Sequence, residues 1–144
     1  MRFWEASALV PLCRQETGST VVRSLHHEDE EIAVWWGSRL ECISALMRLV
    51  REGRLDAYQE VQVRACLADL FEAAAEVEPT EDVRDRAERL LALHPLRAAD
   101  ALQLAAALVW ARERPIGRGF VCLDQRLRQA AGREGFGVLP PIVT

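Results

Sequence analysis

Short apolar runs alternate along this chain with longer segments in which apolar residues recur every three or four positions. The short runs are rich in β-branched and aromatic residues and stop at glycine, proline or acidic residues, as strands do. They predict strands at residues 2–5, 31–36, 120–123 and 135–139, and the segment AEVE at residues 75–78 is a further candidate.

The longer segments predict helices between these strands. One begins at Ser38, ends at Gly53 and carries a single apolar stripe, and residues 98–112 are apolar nearly all round, so that this helix is expected to be central and buried. The other predicted helices cover residues 8–13, capped by Ser7, and residues 20–27, 56–76, 81–93 and 125–133. Strands that alternate with helices favour a parallel sheet covered on both faces, so we expect one α/β domain over residues 1–144.

Four acidic residues lie where a predicted strand gives way to a helix, or in the first turn of a helix. They are Glu5, Glu41, Asp100 and Asp124. In an open α/β sheet the loops that follow the strands gather along one edge, so these carboxylates can meet in space. Gathered carboxylates repel one another and stay ionised together only if a cation joins them. Oxygen ligands of this kind suit Mg²⁺ or Mn²⁺, which carry out phosphodiester chemistry.

Asp100 is the strongest of these candidates by its local sequence. It stands among alanine and leucine residues on a helix with almost no polar face, where an unpaired carboxylate would be expensive to bury. We therefore expect it to have a cation, several hydrogen-bond donors or a raised pKa. The alternative is an acid in the first turn that interacts with the helix dipole.

The other three acids also have structural alternatives. Glu41 completes a capping box with Ser38, Asp124 can be a helix N-cap, and Glu5 ends a strand. The four acids together indicate a metal site more specifically than any one of them does, because each lies near a strand-to-helix junction. Capping also does not exclude metal binding, since both roles place the side chain at the same edge of the sheet.

Composition describes an ordinary folded protein. Hydrophobic residues make up 50% of the chain and charged residues 28%, and no apolar run reaches the length of a membrane span. The first ten residues hold a charge inside their apolar region, so they predict a strand and not a signal peptide, and we expect a cytoplasmic protein. The net charge of −4 is unusual for a nucleic-acid-binding protein, but metal would neutralise part of it.

All basic side chains are arginines, whose planar guanidinium matches phosphate geometry, although a GC-rich genome gives the same composition without any function. The cysteines are Cys13, Cys42, Cys66 and Cys122. None of them forms a CxxC pair and each lies in an apolar run, so we expect buried reduced thiols and neither a zinc site nor a disulfide framework.

Four segments give the chain its resemblance to a known family. They are EASALVPL at residues 5–12, SRLECISALMRL at 38–49, LRAADALQLAAAL at 96–108 and FVCLDQRLRQAA at 120–131. In this order and at these separations, the chain resembles a PIN-domain ribonuclease of the VapC toxin type. The resemblance implies a three-layer α/β sandwich with a parallel sheet of four or five strands. It also implies a Mg²⁺- or Mn²⁺-dependent endoribonuclease that acts as the toxin of a toxin–antitoxin pair, binds a cognate antitoxin and forms a homodimer.

Carried over by position, Glu5, Glu41, Asp100 and Asp124 match the family's catalytic and metal-binding acids, and Ser7 matches the hydroxyl residue beside the first of them. Glu5 departs from the family, which normally has aspartate there. The longer side chain would shift the metal, favour Mn²⁺ or weaken the enzyme. The alternative function is a catalytically weak PIN-like module that binds protein, and a DNA-directed nuclease would have the same sequence features.

The expected reaction is metal-assisted hydrolysis of a phosphodiester bond. Arg97 and Arg126, with Arg39 and Arg128, are candidates for guiding the RNA backbone, and the alternative is that they lie on solvated helix faces. Of the adjacent Trp35 and Trp36, one is expected in the core and the other in an interface or stacked on a base. His94 is the only histidine near a motif and precedes a proline, so no histidine is expected to act as general base.

Overall fold

A parallel β-sheet forms the centre of the computed structural model, which describes residues 1–142. Its five strands are β1 (Arg2–Trp4), β2 (Ile32–Trp35), β3 (Ala75–Val77), β4 (Gly119–Val121) and β5 (Gly137–Leu139). They follow the order β3-β2-β1-β4-β5, and all four neighbouring pairs are parallel. This confirms the predicted α/β class and parallel sheet, and it shows that the segment at residues 75–78 contributes a strand.

Helices cover both faces of this sheet. Within residues 1–142 they are α1 (Ala6–Cys13), α2 (Ser19–Glu28), α3 (Ser38–Arg51), α4 (Ala57–Ala73), α5 (Glu81–Leu93), α6 (Ala98–Trp110) and α7 (Gln125–Glu134). Each predicted helix is present with its ends moved by at most a few residues. The connection between every pair of paired strands runs through helices, which is what parallel pairing requires.

The side chains of the sheet divide between two hydrophobic cores. Phe3 and Trp35 pack with α5, α6 and α7 on one face, while Trp4 and Val34 pack with α1 to α4 on the other. This division follows from the alternation of successive side chains along a strand. Because both faces are covered, β2 and β4 are apolar throughout, whereas β1 begins with Arg2 and the edge strand β3 contains the exposed Glu76.

Strand β1 is the point at which the chain reverses its direction of winding. It pairs with β2 on one side and with β4 on the other. The loops after β1 and β2 lead to α1 and α3 on one face of the sheet, whereas the loop after β4 leads to α7 on the other face. The loops on the two sides therefore leave a crevice between them. Ligands of open α/β sheets bind in such a crevice.

One expectation about the cysteines is wrong. Cys13, at the end of α1, and Cys66, within α4, form a disulfide with a Cα–Cα distance of 5.6 Å. The two residues are 53 positions apart, so only the packing of α1 against α4 brings them together. Cys42 and Cys122 are free and buried, as predicted.

The two adjacent tryptophans separate as predicted. Trp35 lies in the core, whereas 54% of Trp36 is exposed at the carboxyl end of β2. Among the helices within residues 1–142, none has the length and apolarity needed to cross a membrane.

Candidate active site

All four acids predicted from the sequence lie at the carboxyl edge of the sheet. Glu5 directly follows β1, Asp124 lies between β4 and α7, and Glu41 and Asp100 lie in the first turns of α3 and α6. Burial is the main cause of the raised pKa values of Glu5 and Glu41, and neighbouring charges add to it: the charge of Glu41 acts on Glu5, and the charge of Asp100 acts on Glu41. Asp100 and Asp124 then line one groove. The structure therefore brings all four into one region.

Glu5 is the buried member of this set, with only 6% of its surface exposed. Its Oε2 atom accepts hydrogen bonds from the Ser7 amide at 3.0 Å, from the Ser7 hydroxyl and from the Cys122 thiol at 3.3 Å. Burial disfavours the charged form and raises the pKa of Glu5 to about 7, although the bonds from Ser7 and Cys122 act in the opposite direction. At neutral pH the protonated and ionised forms are thus close in free energy.

Ser7 has a different role from the predicted helix cap. The N-cap of α1 is Glu5, and Ser7 lies inside the helix. Besides donating to Glu5, the Ser7 hydroxyl accepts a hydrogen bond from the Leu123 amide at 2.9 Å. The Ser7 hydroxyl therefore connects Glu5 to the end of β4. Its bond with the Leu123 amide takes the place of the predicted capping bond to a backbone amide of α1.

Glu41 does not form the predicted capping box with Ser38. The N-cap of α3 is Gly37, and the Oε2 atom of Glu41 accepts a hydrogen bond of 2.8 Å from the amide of Gln103 on α6. Burial raises the pKa of Glu41, while the bond from Gln103 opposes that rise. The structural alternative for Glu41 is therefore wrong, and its carboxylate belongs to a tertiary network.

Asp100 is only partly buried, contrary to the prediction from its apolar neighbours. Helix α6 is buried along most of its length, but its first residues, Ala98 and Ala99, are exposed and Asp100 is intermediate. The Asp100 carboxylate accepts a hydrogen bond from the Arg97 amide at 3.3 Å. Asp124 is the N-cap of α7, as the alternative for it predicted, and its Oδ1 accepts from the Leu127 amide at 3.0 Å.

The donor atoms suit a hard divalent cation. In each of the four carboxylates, one oxygen accepts the hydrogen bonds described above, and the other has no hydrogen-bond partner within residues 1–142. Free carboxylate oxygens are the ligands that Mg²⁺ and Mn²⁺ prefer. Over the same residues, no three side chains of aspartate, glutamate, histidine or cysteine are close enough to hold a metal as they stand. The acids have the right chemistry, and ligation requires them to move closer together.

A groove of about 740 Å³ extends from Asp100 and Asp124. Two exposed arginines, Arg97 and Arg126, line it together with Gln125 and Gln129. Arg128 is different, because its guanidinium donates to the carbonyl oxygens of Cys122, Leu139 and Pro140 and thereby fixes the turn after β5. Of the predicted arginines, Arg97 and Arg126 line the groove with Asp100 and Asp124, and Arg39 is exposed in the first turn of α3.

Two residues of the site did not stand out as candidates in the sequence. Gln103 is one of two polar residues within the apolar segment at residues 98–111, which is a signal that could have marked it. Cys122 is one apolar residue among others in its strand, and nothing in the sequence marks it. His94 is buried, and its Nε2 atom is paired with the Glu134 carboxylate at 2.7 Å.

Comparison with known proteins gives relatives over nearly the whole chain. The chain is 31% identical over 141 residues to Ribonuclease VapC45 of Mycobacterium tuberculosis strain CDC 1551 / Oshkosh, and the match covers 96% of this chain and 94% of that protein. The same values hold for Ribonuclease VapC49 of Mycobacterium tuberculosis strain ATCC 25618 / H37Rv. No family model matches the chain.

A solved structure supports the fold independently. The crystal structure of PAE2754 from Pyrobaculum aerophilum superposes on this chain with a TM-score of 0.65 and covers 96% of it and 88% of its own chain. Sequence identity in this pair is 19%, so the likeness concerns the fold alone.

Proposed function

Because this chain belongs to the VapC-type family of PIN-domain ribonucleases, we propose that it is a divalent-metal-dependent endoribonuclease that hydrolyses RNA phosphodiester bonds. The observation that carries the proposal is the buried carboxylate of Glu5 at the end of the central strand, which is coupled to Glu41 at a sheet edge that also carries Asp100 and Asp124. A buried acid with a perturbed pKa in a crevice is characteristic of a functional site.

The residues that would hold Mg²⁺ or Mn²⁺ are Glu5, Glu41, Asp100 and Asp124. When bound, such a cation would activate a water molecule and would neutralise the charge that develops on the phosphate oxygens. Ser7 and Cys122 fix the orientation of Glu5 by donating to one of its oxygens. The helix amides fix Asp100 and Asp124 in the same way.

The groove beside Asp100 and Asp124 is the proposed path of the RNA. Arg97 and Arg126 supply guanidinium groups that can bind consecutive phosphates, and both are exposed in the groove that contains the acids. These two cations offset the negative field of the carboxylates at the point where the substrate would enter. The overall charge of −4 therefore does not prevent local binding of a polyanion.

The test is a cleavage assay on single-stranded RNA with the wild-type protein and the variant Asp100→Asn. Cleavage is expected with Mg²⁺ or Mn²⁺ and absent with EDTA or in the variant. Equal cleavage by Asp100→Asn or in EDTA would contradict the proposal. A parallel arm with single-stranded DNA of the same sequence decides between a ribonuclease and a DNA-directed nuclease.

The toxin role and the partners are part of the same proposal. We expect a cognate antitoxin, a homodimer and location in the cytoplasm, as the family resemblance implies. Exposed apolar side chains that can contact another protein include Trp36 and Leu40 beside the site, and Tyr58 and Val61 on α4. Light scattering on the purified chain, alone and with the antitoxin, measures both assemblies.

Two observations favour the second candidate, a PIN-like module that binds protein without efficient catalysis. Glu5 stands where the family normally has aspartate, and the acids are not assembled into a ready coordination shell within residues 1–142. Calorimetry separates the two functions: absence of binding at millimolar Mg²⁺ and Mn²⁺, together with absence of cleavage, would favour the binding module.

A further inference from the structure

Gln103 is a buried polar residue on a helix whose other inward side chains are apolar. Only 1% of its surface is exposed, and its neighbours Leu104, Ala105 and Ala106 belong to the core. A buried amide costs free energy unless its hydrogen bonds are satisfied. Its position at the centre of the fold therefore needs an explanation that hydrophobic packing does not give.

The side chain of Gln103 connects two elements of the site. Its Nε2 atom donates to the Oε2 atom of Glu41 at 2.8 Å and to the Ser38 hydroxyl at 3.0 Å, and its Oε1 atom lies 3.3 Å from the same hydroxyl. Ser38 is itself fully buried at the start of α3. The amide is thus anchored on a rigid hydroxyl and directs its remaining hydrogen at the carboxylate.

This contact leaves Glu41 in a defined orientation. A glutamate in the first turn of a helix has several rotamers, and a bond to one oxygen selects among them. With Oε2 held by Gln103, the Oε1 atom has no hydrogen-bond partner within residues 1–142. Because the Gln103 amide is neutral, it fixes the Glu41 carboxylate without adding a positive charge that would compete with the metal for that carboxylate.

We propose that Gln103 is a positioning residue that holds one oxygen of the Glu41 carboxylate and leaves the other oxygen to bind the divalent cation when the acids close around it. The inference rests on the proposed function, because it assigns to Gln103 a part in the same metal site. Partners that hydrogen-bond a ligating carboxylate typically change metal affinity by about 10-fold to 100-fold when they are removed. The alternative is that Gln103 only links α3 to α6.

The experiment compares wild type with Gln103→Met, which keeps the volume and flexibility of the side chain but removes both donors. Cleavage rates are measured as a function of Mn²⁺ concentration, and then as a function of RNA concentration at saturating Mn²⁺. We expect the half-saturating Mn²⁺ concentration to rise by roughly 10-fold or more, while the KM for RNA stays within about twofold.

Leu108→Ala is the matched control, because it removes a buried apolar group from the same helix away from Glu41. It should lower the melting temperature and leave the half-saturating Mn²⁺ concentration unchanged, which is also the result expected for Gln103→Met if its role is only structural. Ser38→Ala removes the hydroxyl that anchors Gln103 but keeps the Gln103 amide. It should raise the half-saturating Mn²⁺ concentration by a smaller factor than Gln103→Met does. It decides the question if Gln103→Met does not fold.

A wild-type protein that neither binds Mn²⁺ nor cleaves RNA would refute the proposed function. If wild type is active and the variants at Gln103 and Ser38 have the same half-saturating Mn²⁺ concentration as wild type, only the positioning role of Gln103 is overturned. The two failures are thus distinguishable.

Discussion

Glu5 has one methylene group more than the aspartate that the family normally carries, and this length determines which atoms it contacts. Its Oε2 atom reaches the thiol of Cys122, a residue 117 positions away in the sequence. Together with Ser7, Cys122 surrounds the end of the side chain in the core. The carboxylate is thereby withdrawn into the protein, which explains why burial is the main cause of its raised pKa.

The first prediction concerns the length of this side chain. Glu5→Asp should keep or increase cleavage activity and shift the metal preference toward Mg²⁺, which demands short and regular coordination distances. The shorter side chain would give up the Cys122 contact and place its oxygens where the family normally has them. The measurement is the ratio of cleavage rates in Mg²⁺ and Mn²⁺ for both proteins. A ratio that moves toward Mn²⁺ would contradict this account of Glu5.

The second prediction concerns pH and the metal-free protein. Since the folded pKa of Glu5 is about 7 and its ordinary value is 4.5, the folded state binds more protons than the unfolded state between these values. The contribution of Glu5 to the free energy of unfolding therefore falls as pH rises from about 4.5 to 7 and is constant above. Glu5→Gln removes this loss of stability. The free energy of unfolding of the variant should therefore exceed that of wild type by roughly 3 kcal/mol at pH 8 and equal it near pH 4.

Denaturant unfolding in EDTA across this pH range measures the difference between the two proteins. Titrating groups that are not coupled to Glu5 contribute equally to both proteins and cancel; an example is Asp29, whose pKa is lowered by its hydrogen bond with the N-terminal amine. A difference that does not change with pH would show that Glu5 stays ionised or has no raised pKa in the folded state.

At the scale of elements, helix starts determine where the acids lie. Glu5 and Asp124 are N-caps of α1 and α7, and Asp100 accepts from the amide that precedes α6. Each of these three acids is therefore oriented by a backbone amide at a helix start. The placement of the carboxylates could be predicted from sequence because capping is local and strand-to-helix junctions of parallel strands share an edge.

The errors in predicting individual caps have one physical cause. Ser7 and Ser38 both have the local pattern of an N-cap, but each hydroxyl has a tertiary partner, Leu123 or Gln103, and lies inside its helix. These partners are far apart in sequence, so local patterns cannot reveal them. The same limit applies to the bond between Gln103 and Glu41, which joins residues 62 positions apart.

The third prediction concerns the disulfide that links the end of α1 to α4. In the oxidised protein, denatured without reductant, two thiols should react with a thiol reagent, namely those of Cys42 and Cys122. The double variant Cys13→Ser/Cys66→Ser should lose about 4 kcal/mol of unfolding free energy, because closing a loop of 53 residues restricts the unfolded chain.

Reduced wild type is the control, and its unfolding free energy should approach that of the double variant. Reaction of four thiols in the unreduced protein would show that Cys13 and Cys66 do not pair. Sequence spacing leaves their pairing open, since only the tertiary packing of α1 against α4 brings the two residues together.

At the scale of the whole molecule, the order of the strands assembles the site. The alternation of strands and helices predicts a parallel sheet, but it does not specify that β1 lies between β2 and β4. This order places Glu5 at the centre, with α3 and α7 starting on either side of it. The carboxylates therefore converge through topology, and their mutual repulsion is a cost that the folded, metal-free protein carries.

The last prediction tests this convergence in the intact protein. A ligand that binds only the folded state stabilises it by mass action, by about 2.7 kcal/mol at a concentration roughly 100 times its Kd. Mn²⁺ should therefore raise the melting temperature of wild type, and the rise should vanish in Asp100→Asn/Asp124→Asn. In EDTA the double variant should be about as stable as wild type, since relief of repulsion offsets the weaker helix-start interactions.

Asp82→Asn/Asp85→Asn is the matched control, because it removes the same charge from the exposed face of α5. This variant should keep the full response to Mn²⁺, so that any general effect of charge on melting is separated from ligation. If the control loses the response as the site variant does, the stabilisation is nonspecific. If wild type melts at the same temperature with and without millimolar Mn²⁺, the four carboxylates do not form a metal site, because ligation by four side chains from three helices and a strand end must stabilise the fold that unites them.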